Sequence, residues 1–287
     1  MCKSPFKTGQ LFVIMNSRKN HFYPRGSFMF ARQRLVLWFL FICLLALLYE
    51  IVKERLNHYE SQWVLAWSDE FDGTTVDHSK WNVLDTAAPR NNELEYYTPE
   101  AVSVKDGYLR IRTDKRSYKG MDYTSGALQT RFKYDFLYGK VEIHARLPKG
   151  QGIWPAHWMP PSDHASPYEI DIMEMLGHEP NKIYLTHHWL GWIPQQYTGT
   201  YVGPDYSKAF HTFTVEWEPG KITWYIDGVE RFSSTSHVQE TPAYLYVNTA
   251  VGGNWPGSPD ETTVFPQFHD IDYVRVYQKP QVDWKFW

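Results

Sequence analysis

Apolar and polar residues alternate along most of the chain from residue 63 onward. The alternation is clearest in residues 140–147, 212–217 and 221–226, where every second residue is apolar. A period of two is typical of strands that place one face on a hydrophobic core. The dipeptides Pro219-Gly220 and Asp227-Gly228 follow two of these segments and predict tight turns between neighbouring strands.

Four further segments are rich in residues that favour strands. No long amphipathic helix is evident in this part of the chain, and there is no internal repeat. Many short strands with turns between them predict an all-β fold, either a sandwich or a barrel. We therefore predict a single domain over residues 63–287. The four further segments are residues 125–132, 184–189, 243–250 and 271–277.

The amino-terminal part of the chain has a different pattern. Residues 1–34 are basic and contain no Asp or Glu, and residues 35–52 form an apolar run. This order is typical of a signal sequence or a signal anchor. No pair of small residues follows the run where a cleavage site would lie, and the run approaches the length of a membrane-spanning helix. We expect an uncleaved anchor and then a polar linker, residues 53–62; a cleaved signal peptide is the alternative.

The basic residues before the apolar run also predict where the domain lies. They favour a cytoplasmic amino terminus, and a membrane-anchored domain would then lie outside the cytoplasm. Cleavage would instead release a secreted domain. Met29 could also be the true start, which would leave residues 1–28 without a role.

Composition narrows the classes of partner. The net charge of -3 gives no basic field for nucleic acid. Cys2 and Cys43 both precede residue 63, so the predicted domain contains no disulfide. Aromatic residues make up 17% of the chain, with 13 Trp, more than a core alone needs, and this favours a groove for the flat apolar faces of sugars. We expect a monomer.

The chemistry suggested by the sequence lies in Glu169-Ile170-Asp171-Ile172-Met173-Glu174. On a regular strand Glu169 and Asp171 would share a face and Glu174 would point to the opposite one. One extra residue, a β-bulge, would return Glu174 to the face of the other two acids. Acidic residues on a solvent-facing strand are the alternative reading, but three close carboxylates cost free energy. Glycoside hydrolysis requires such a set, because a carboxylate nucleophile must lie beside a protonated acid.

Geometry sets a condition on this hypothesis. Even with the bulge, the Cα atoms of Glu169 and Glu174 would be roughly 13 Å apart. A retaining pair needs its carboxyl groups ~5–5.5 Å apart, so the two side chains must lean together on a curved strand. Neighbouring negative charge would raise the pKa of the acid. The spacing alone leaves open which Glu is the nucleophile and which the acid.

Several short motifs follow one another along the chain: Trp67–Gly73, Asn91-Asn92-Glu93, Tyr96-Tyr97, Tyr123–Gly126, Trp154–Trp158, the acidic strand, Gly252–Trp255 and Asp272–Tyr277. In this order they resemble glycoside hydrolase family 16. The resemblance implies a β-jelly-roll sandwich with a concave substrate cleft, and an endo-acting enzyme that cleaves β-linkages with retention of configuration. It also implies the roles: Glu169 as nucleophile, Asp171 as helper and Glu174 as acid/base.

Within the family, the acidic strand with Met173 as the extra residue of its bulge resembles the laminarinase, agarase and carrageenase branches, and Trp154-Pro155-Ala156-His157-Trp158 resembles laminarinase-like β-1,3-glucanases. This implies that a β-linked polysaccharide is the substrate and that no cofactor takes part in catalysis. The implied substrate-binding residues are Trp154, Trp158, Asn91, His188 and Trp255. A structural calcium, a feature of many relatives, would be bound by Glu70, the backbone oxygen of Gly107 and Asp272.

One departure from the family pattern concerns the substrate. Tyr168 stands directly before Glu169, where laminarinases typically carry Gly, and the preceding loop is short. A bacterial exopolysaccharide is therefore an alternative substrate, and transfer to a sugar is an alternative to hydrolysis. A carbohydrate-binding protein without catalysis is the alternative from another class. Among other residues, we expect His187 and His188 on opposite faces of a strand, and Trp217 and Trp224 in the core.

Overall fold

The structure is a computed structural model that describes residues 26–87, 90–163 and 168–280, with backbone alone for residues 26–33 and 56–61. The chain divides into two compact units, with the boundary between Tyr59 and Glu60. Helix α1, Gly26–Ser61, lies in the first unit except for its last two residues. Its segment Arg34–Arg55 is long and apolar enough to cross a membrane, and none of it is buried; a signal sequence would meet the same test. The residues predicted as a polar linker are helical as far as Ser61.

The second unit consists of short strands and two 3-10 turns, Arg90–Asn92 and Pro99–Ala101. The strands are β1 Val64–Asp69, β2 Asn82–Val83, β3 Thr86–Ala87, β4 Glu95–Tyr97, β5 Val102–Lys105, β6 Tyr108–Thr113, β7 Tyr123–Ser125, β8 Ala127–Gln129, β9 Asp135–Phe136, β10 Gly139–Arg146, β11 Ile153–Met159, β12 Glu169–Met175, β13 Lys182–Leu190, β14 Pro194–Val202, β15 His211–Glu218, β16 Lys221–Ile226, β17 Val229–Ser234, β18 Ala243–Tyr244, β19 Tyr246–Val251 and β20 Gln267–Gln278.

Two large antiparallel sheets form a jelly-roll sandwich. One, here called the back sheet, has the order β17-β16-β15-β10-β20-β6-β5, and β1 also pairs with β20. The other, here called the cleft sheet, has the order β14-β13-β12-β11-β19-β8-β2. Strands that are neighbours in a sheet are often distant in sequence, as β11 and β19 are, so the fold brings separate motifs onto one surface. The predicted all-β sandwich is confirmed.

The core lies between the two sheets and follows the alternation of the sequence. Val141 and Ile143 of β10 and Phe213 and Val215 of β15 are fully buried, as the period of two predicts. Burial of side chains of this size contributes about 1.5–3 kcal/mol each relative to exposure. The turn at Asp227-Gly228 has positive φ at both residues, 52° and 74°, which matches the two-residue hairpin predicted for it.

The two tryptophans expected in the core are there. Trp217 and Trp224 are both fully buried. The indole N–H of Trp217 donates to the backbone oxygen of Gln239 at 2.9 Å, and that of Trp224 donates to the backbone oxygen of Asp171 at 2.8 Å. Because Trp224 lies on the back sheet and Asp171 on the cleft sheet, this second bond ties the two layers together beneath the acidic strand.

Candidate active site

A cleft of about 1210 Å³ lies on the outer face of the cleft sheet. Its floor consists of the outward-facing residues of β11, β12, β13, β14 and β19, and its walls come from loops. All three acids of β12 line it, as do all five predicted substrate-binding residues. These eight residues are Glu169, Asp171, Glu174, Trp154, Trp158, Asn91, His188 and Trp255.

The predicted β-bulge is present in β12. Asp171 pairs with Thr186 of β13 and Glu174 with Tyr184, so three steps along β12 face two along β13. Since the extra residue reverses the alternation, Glu174 returns to the face of Glu169 and Asp171. The three carboxyl side chains therefore point into one cleft.

The sequence suggested Met173 as the extra residue, but the structure shows that it is Ile172. The register with β11 pairs Met173 with His157 and Asp171 with Trp158, which leaves Ile172 without a partner. Both residues point inward, with 1% of Ile172 and 0% of Met173 exposed. The bulge therefore places two successive apolar side chains in the core, and their burial offsets the interrupted ladder.

Asp171 lies at the centre of the acid cluster and is 2% exposed. Its Oδ2 is 3.0 Å from Nε2 of His188, and the same nitrogen is 3.8 Å from Oε1 of Glu169. A carboxylate oxygen of Asp171 also lies within 4.8 Å of one of Glu169. His188 is the cross-strand neighbour of Glu169, so strand register alone brings this imidazole to the acids. His187, which follows the opposite face as expected, is buried and bonds Oγ of Ser234.

Glu174 is the carboxyl most strongly held in its protonated form. Burial raises its pKa well above the ordinary value, and the negative charges of Asp171 and Glu169 raise it further. The indole N–H of Trp154 donates to Oε1 of Glu174 at 3.1 Å, which leaves the other oxygen free of that contact. A protonated carboxyl that opens on a cleft is the group expected of a general acid.

Burial also raises the pKa of the other two acids, that of Glu169 to about 8 and that of Asp171 to about 7. The Asp171 charge raises the pKa of Glu169 further, while His188 and Arg90 lower it. His188 lowers the pKa of Glu174 as well. The Glu169 side chain retains 37% of its surface exposed, which reduces the effect of burial. Arg90 is therefore the positive charge that favours the ionised form of Glu169 over that of Glu174.

An aromatic group encloses the cleft near Glu174. The rings of Trp154 and Trp255 meet edge to face at 5.4 Å, and Trp255 contacts Tyr184 at 4.7 Å. The loop of Trp255 is tied to Asn91, whose backbone oxygen accepts a 2.8 Å bond from the N–H of Asn254. Asn91 adopts a positive φ of 54°, which an Asn tolerates better than most residues.

Trp158 is fixed by residues that the sequence did not identify. Its ring lies 4.5 Å from that of Tyr246, and its indole N–H donates to Oδ1 of Asn248 at 3.0 Å. Asn248 in turn donates to the hydroxyl of Tyr97 at 3.0 Å. Tyr246 and Asn248 alternate on β19, so their shared face was readable, but nothing in the sequence showed that β19 pairs with β11.

A second carboxyl pair, also missed, lies at the edge of the cleft. Glu93 lines the cleft and accepts a 3.1 Å bond from Nδ2 of Asn91. Glu95 is fully buried, accepts a 2.8 Å bond from the N–H of Val251, and shares a hydrogen bond with Glu93. Burial raises the pKa of both, that of Glu95 to about 8. The pair therefore retains a proton near neutral pH.

The calcium site suggested by the resemblance stays a prediction. Both carboxylate oxygens of Glu70 accept bonds from Arg275, at 3.0 and 2.7 Å, and Oδ2 of Asp272 is 2.8 Å from Nδ1 of His144. Gly107 lies in the turn between β5 and β6. A cation at Glu70 would have to share it with a guanidinium group, so these contacts do not form a ready oxygen cage. No step below depends on calcium.

One group of acidic and imidazole side chains in the described residues has ligand atoms close enough to hold a metal. It consists of Glu169, Asp171 and His188, whose ligand atoms lie within 4.8 Å of one another. The same three contacts are explained by the hydrogen bond between His188 and Asp171 and by the carboxyl pair. The spacing alone therefore does not require a metal.

Comparison with known proteins adds independent information. The model of Glycosyl hydrolases family 16 matches residues 91–275. A beta-glucanase of Rhodothermus marinus is 36% identical over 75% of this chain and 85% of its own length. The glucan endo-1,3-beta-glucosidase A1 of Niallia circulans is also 36% identical over 75% of this chain, which spans only 38% of that protein.

Solved structures agree. The catalytic domain of an endo-1,3-beta-glucanase (laminarinase) from Thermotoga petrophila superimposes with a TM-score of 0.72 at 40% identity, over 77% of this chain and 99% of that domain. The endo-beta-1,3-glucanase of Pyrococcus furiosus gives a TM-score of 0.71 at 37% identity, over 77% and 96%. The fold, the family match and the three carboxyls in one cleft lead to the same conclusion: the chain belongs to glycosyl hydrolase family 16 and is a glycoside hydrolase.

Proposed function

We propose that this protein is an endo-acting β-1,3-glucanase that cleaves with retention of configuration. The observation that carries the proposal is the bulge, which places Glu169 and Glu174 on the same face with a proton held on Glu174. The relatives named beta-glucanase and endo-1,3-beta-glucanase support this linkage. A polysaccharide can lie along the open cleft and be cleaved at an internal linkage, as an endo-acting enzyme requires.

The proposed reaction has two steps. The ionised Glu169 attacks C1 of a glucosyl unit, the bond from C1 to the glycosidic oxygen breaks, and Glu174 gives its proton to that oxygen. Water then attacks C1, Glu174 takes up a proton from it, and the bond to Glu169 breaks. Two displacements at C1 restore its configuration.

Asp171 and its neighbours position the reacting groups. Asp171 is hydrogen-bonded to His188, and its carboxylate lies within 4.8 Å of that of Glu169, so it holds His188 beside the nucleophile and keeps negative charge near Glu174. Trp154 holds Glu174 through its indole N–H. Trp158, held by Asn248, offers an apolar ring on which the CH face of a sugar packs.

Attachment to the membrane through α1 is part of the proposal. The helix has the length and apolar character for it, and the basic residues before it favour a domain outside the cytoplasm. An extended surface polysaccharide would then reach the cleft. A processed, secreted form is the alternative. The mass of the mature protein, recovered from cells that express the whole chain, would distinguish the two.

The experiment is incubation of the protein with laminarin, mixed-linkage glucan, β-1,4-glucan, agarose, carrageenan and bacterial exopolysaccharide. We expect internal cleavage of laminarin and β-configured products in the earliest NMR spectra. An added acceptor oligosaccharide would reveal transfer. Full activity in excess EDTA is expected, because no step needs a metal. Products of inverted configuration would refute the mechanism, and the absence of cleavage of every β-1,3-linked substrate would refute the proposed function.

A further inference from the structure

Two arginines line the cleft in addition to the acids. Arg90 follows β3, and Arg131 follows β8. Within residues 26–87, 90–163 and 168–280, neither forms an ion pair with a carboxylate. Most other arginines of the domain do, so these two positive charges lack the partner that such groups usually have.

Arg131 is held in place by contacts that leave its charge unbalanced. Its guanidinium lies 4.5 Å from the ring centre of Phe132, and its backbone oxygen accepts a 2.8 Å bond from Nδ2 of Asn82. Its Nε is buried and has no hydrogen-bond partner. The Nε itself is closed to a ligand in the cleft, so an anionic substituent would have to bind the terminal Nη groups of the guanidinium.

The charges of both arginines influence the same side chain of the cleft, Tyr244. The positive charges of Arg131 and Arg90 each lower the pKa of the Tyr244 hydroxyl, although burial raises it, and the Glu169 charge raises it further. Tyr244 also lines the cleft. The two guanidinium groups therefore both act on the part of the cleft that Tyr244 lines.

The negative charges of the cleft balance these two arginines only in part: the charge of Arg90 lowers the pKa of Glu169 and of Glu93, but Arg90 forms no ion pair with either among the described residues. Glu169, Asp171 and Glu174 serve the reaction, and Glu93 is hydrogen-bonded to Asn91 and Glu95. A neutral glucan offers only hydroxyl groups, whereas a guanidinium fork matches the two oxygens of a carboxylate or a sulfate. Tyr168, which departs from the family pattern, lines the same cleft.

We propose that the cleft accepts a β-glucan bearing an anionic substituent, a carboxylate or a sulfate, and that Arg131 together with Arg90 binds that substituent. This inference rests on the proposed function and specifies its substrate class. Arg131 is the principal residue because it lines the cleft without an ion pair in the described residues, whereas the charge of Arg90 already acts on Glu169 and Glu93. Arg90, which also lies near the nucleophile, contributes the second charge.

The test compares kcat/KM of the full-length protein in detergent on three β-1,3-glucans: neutral laminarin, a lightly carboxymethylated glucan and a lightly sulfated one. We expect the charged substrates to be preferred at low salt. Arg131→Gln should lower the ratio of charged to neutral kcat/KM about tenfold or more, and Arg131→Lys, which keeps the charge but loses the guanidinium fork, should retain only part of the preference. Arg116→Gln, an exposed arginine outside the cleft, is the matched control and should leave the ratio unchanged.

A second readout does not depend on turnover. Calorimetry with Glu174→Gln should show tighter binding of an acidic β-1,3-oligosaccharide than of the neutral one, and the difference should shrink as salt is added. Adding Arg131→Gln should remove most of this difference, with the melting temperature recorded to confirm folding. Equal ratios in all variants, with laminarin still cleaved, would overturn the inference and leave the proposed function standing. Absence of cleavage of all three glucans would refute the function, and equal binding of the acidic and neutral oligosaccharides would refute the inference separately.

Discussion

Buried carboxylates on the two sheets of the sandwich differ in whether basic side chains neutralise them. On the back sheet, Asp270 of β20 is 0% exposed and lies between Arg110 and Arg146, at 2.6 Å from each. These arginines are its direct cross-strand neighbours on β6 and β10. On the cleft sheet, three acids are crowded together on β12, and the imidazole of His188 is their only close basic partner among the described ion pairs.

The difference indicates the purpose of each group. Asp270 is surrounded by donors that keep its charge satisfied, which is how a structural carboxylate is stabilised. The neighbours of Glu174 across the ladder are Ala156 and Tyr184, which carry no opposite charge, so its proton is retained at a cost to stability. Acids left uncompensated in a cleft indicate function, and acids compensated in a sheet indicate structure.

The largest expected effect is on catalysis. Glu174→Gln should lower kcat on laminarin roughly 10³-fold or more, because no group then protonates the glycosidic oxygen. Stability should not fall. A carboxyl whose pKa is raised by folding destabilises the native state as the pH rises above the ordinary value near 4.5, and Gln removes that penalty. Denaturant unfolding at pH 7 checks this, and a clear loss of stability would contradict the comparison.

The reverse result is expected on the back sheet. Asp270→Ala should lower the free energy of unfolding by about 2–3 kcal/mol, because Arg110 and Arg146 lose a buried partner but keep about a third of their own surface in water. Activity per folded molecule should remain. Asp114→Ala is the matched control. Asp114 pairs with Arg112 and is more exposed than Asp270, so its loss should cost less than about 1 kcal/mol. Similar losses in the two variants would remove the distinction between the sheets.

A smaller effect is expected for substrate binding. Trp158→Ala should raise KM for laminari-oligosaccharides about tenfold, because the ring held by Asn248 is lost as an apolar surface for a sugar. Trp192→Ala, at the exposed tip between β13 and β14, is the control and should leave KM unchanged. A large fall in stability with an unchanged KM would make Trp158 a residue of the fold.

The smallest effect is a shift of the pH profile. The Asp171 charge raises the pKa of both Glu169 and Glu174. Asp171→Asn removes that charge, so both pKa values should fall and both limbs of the kcat/KM profile should move to lower pH, by roughly one unit. Limbs that stay in place or move to higher pH would show that Asp171 does not act through its charge.

Much of the architecture could be predicted from the sequence because it depends on local pattern. The alternation of residues 140–147 and 212–217 predicted β10 and β15, and Asp227-Gly228 predicted its turn. The bulge was predicted from the spacing of the three acids, but the extra residue was wrongly given as Met173. The register with β11 decides that point, and the sequence of β12 alone does not contain it.

The unpredicted parts of the site depend on which strands become neighbours. Asn248 supports Trp158 because β19 pairs with β11, although about ninety residues separate them. The buried pair of Glu93 and Glu95, and the placement of Arg90 and Arg131 in one cleft, also arise only when distant segments meet. Periodicity shows the face of a residue and says nothing of the residue that lies beside it.

The most direct test of the central claim, that Glu169 is the nucleophile on a face shared with Glu174, is rescue of Glu169→Ala by azide. With an activated β-glucoside, we expect little activity without azide and restored turnover with it, giving a glycosyl azide of α configuration, since a single displacement inverts C1. Rescue that gives a β-glycosyl azide, or substantial activity of the variant without azide, would contradict the account.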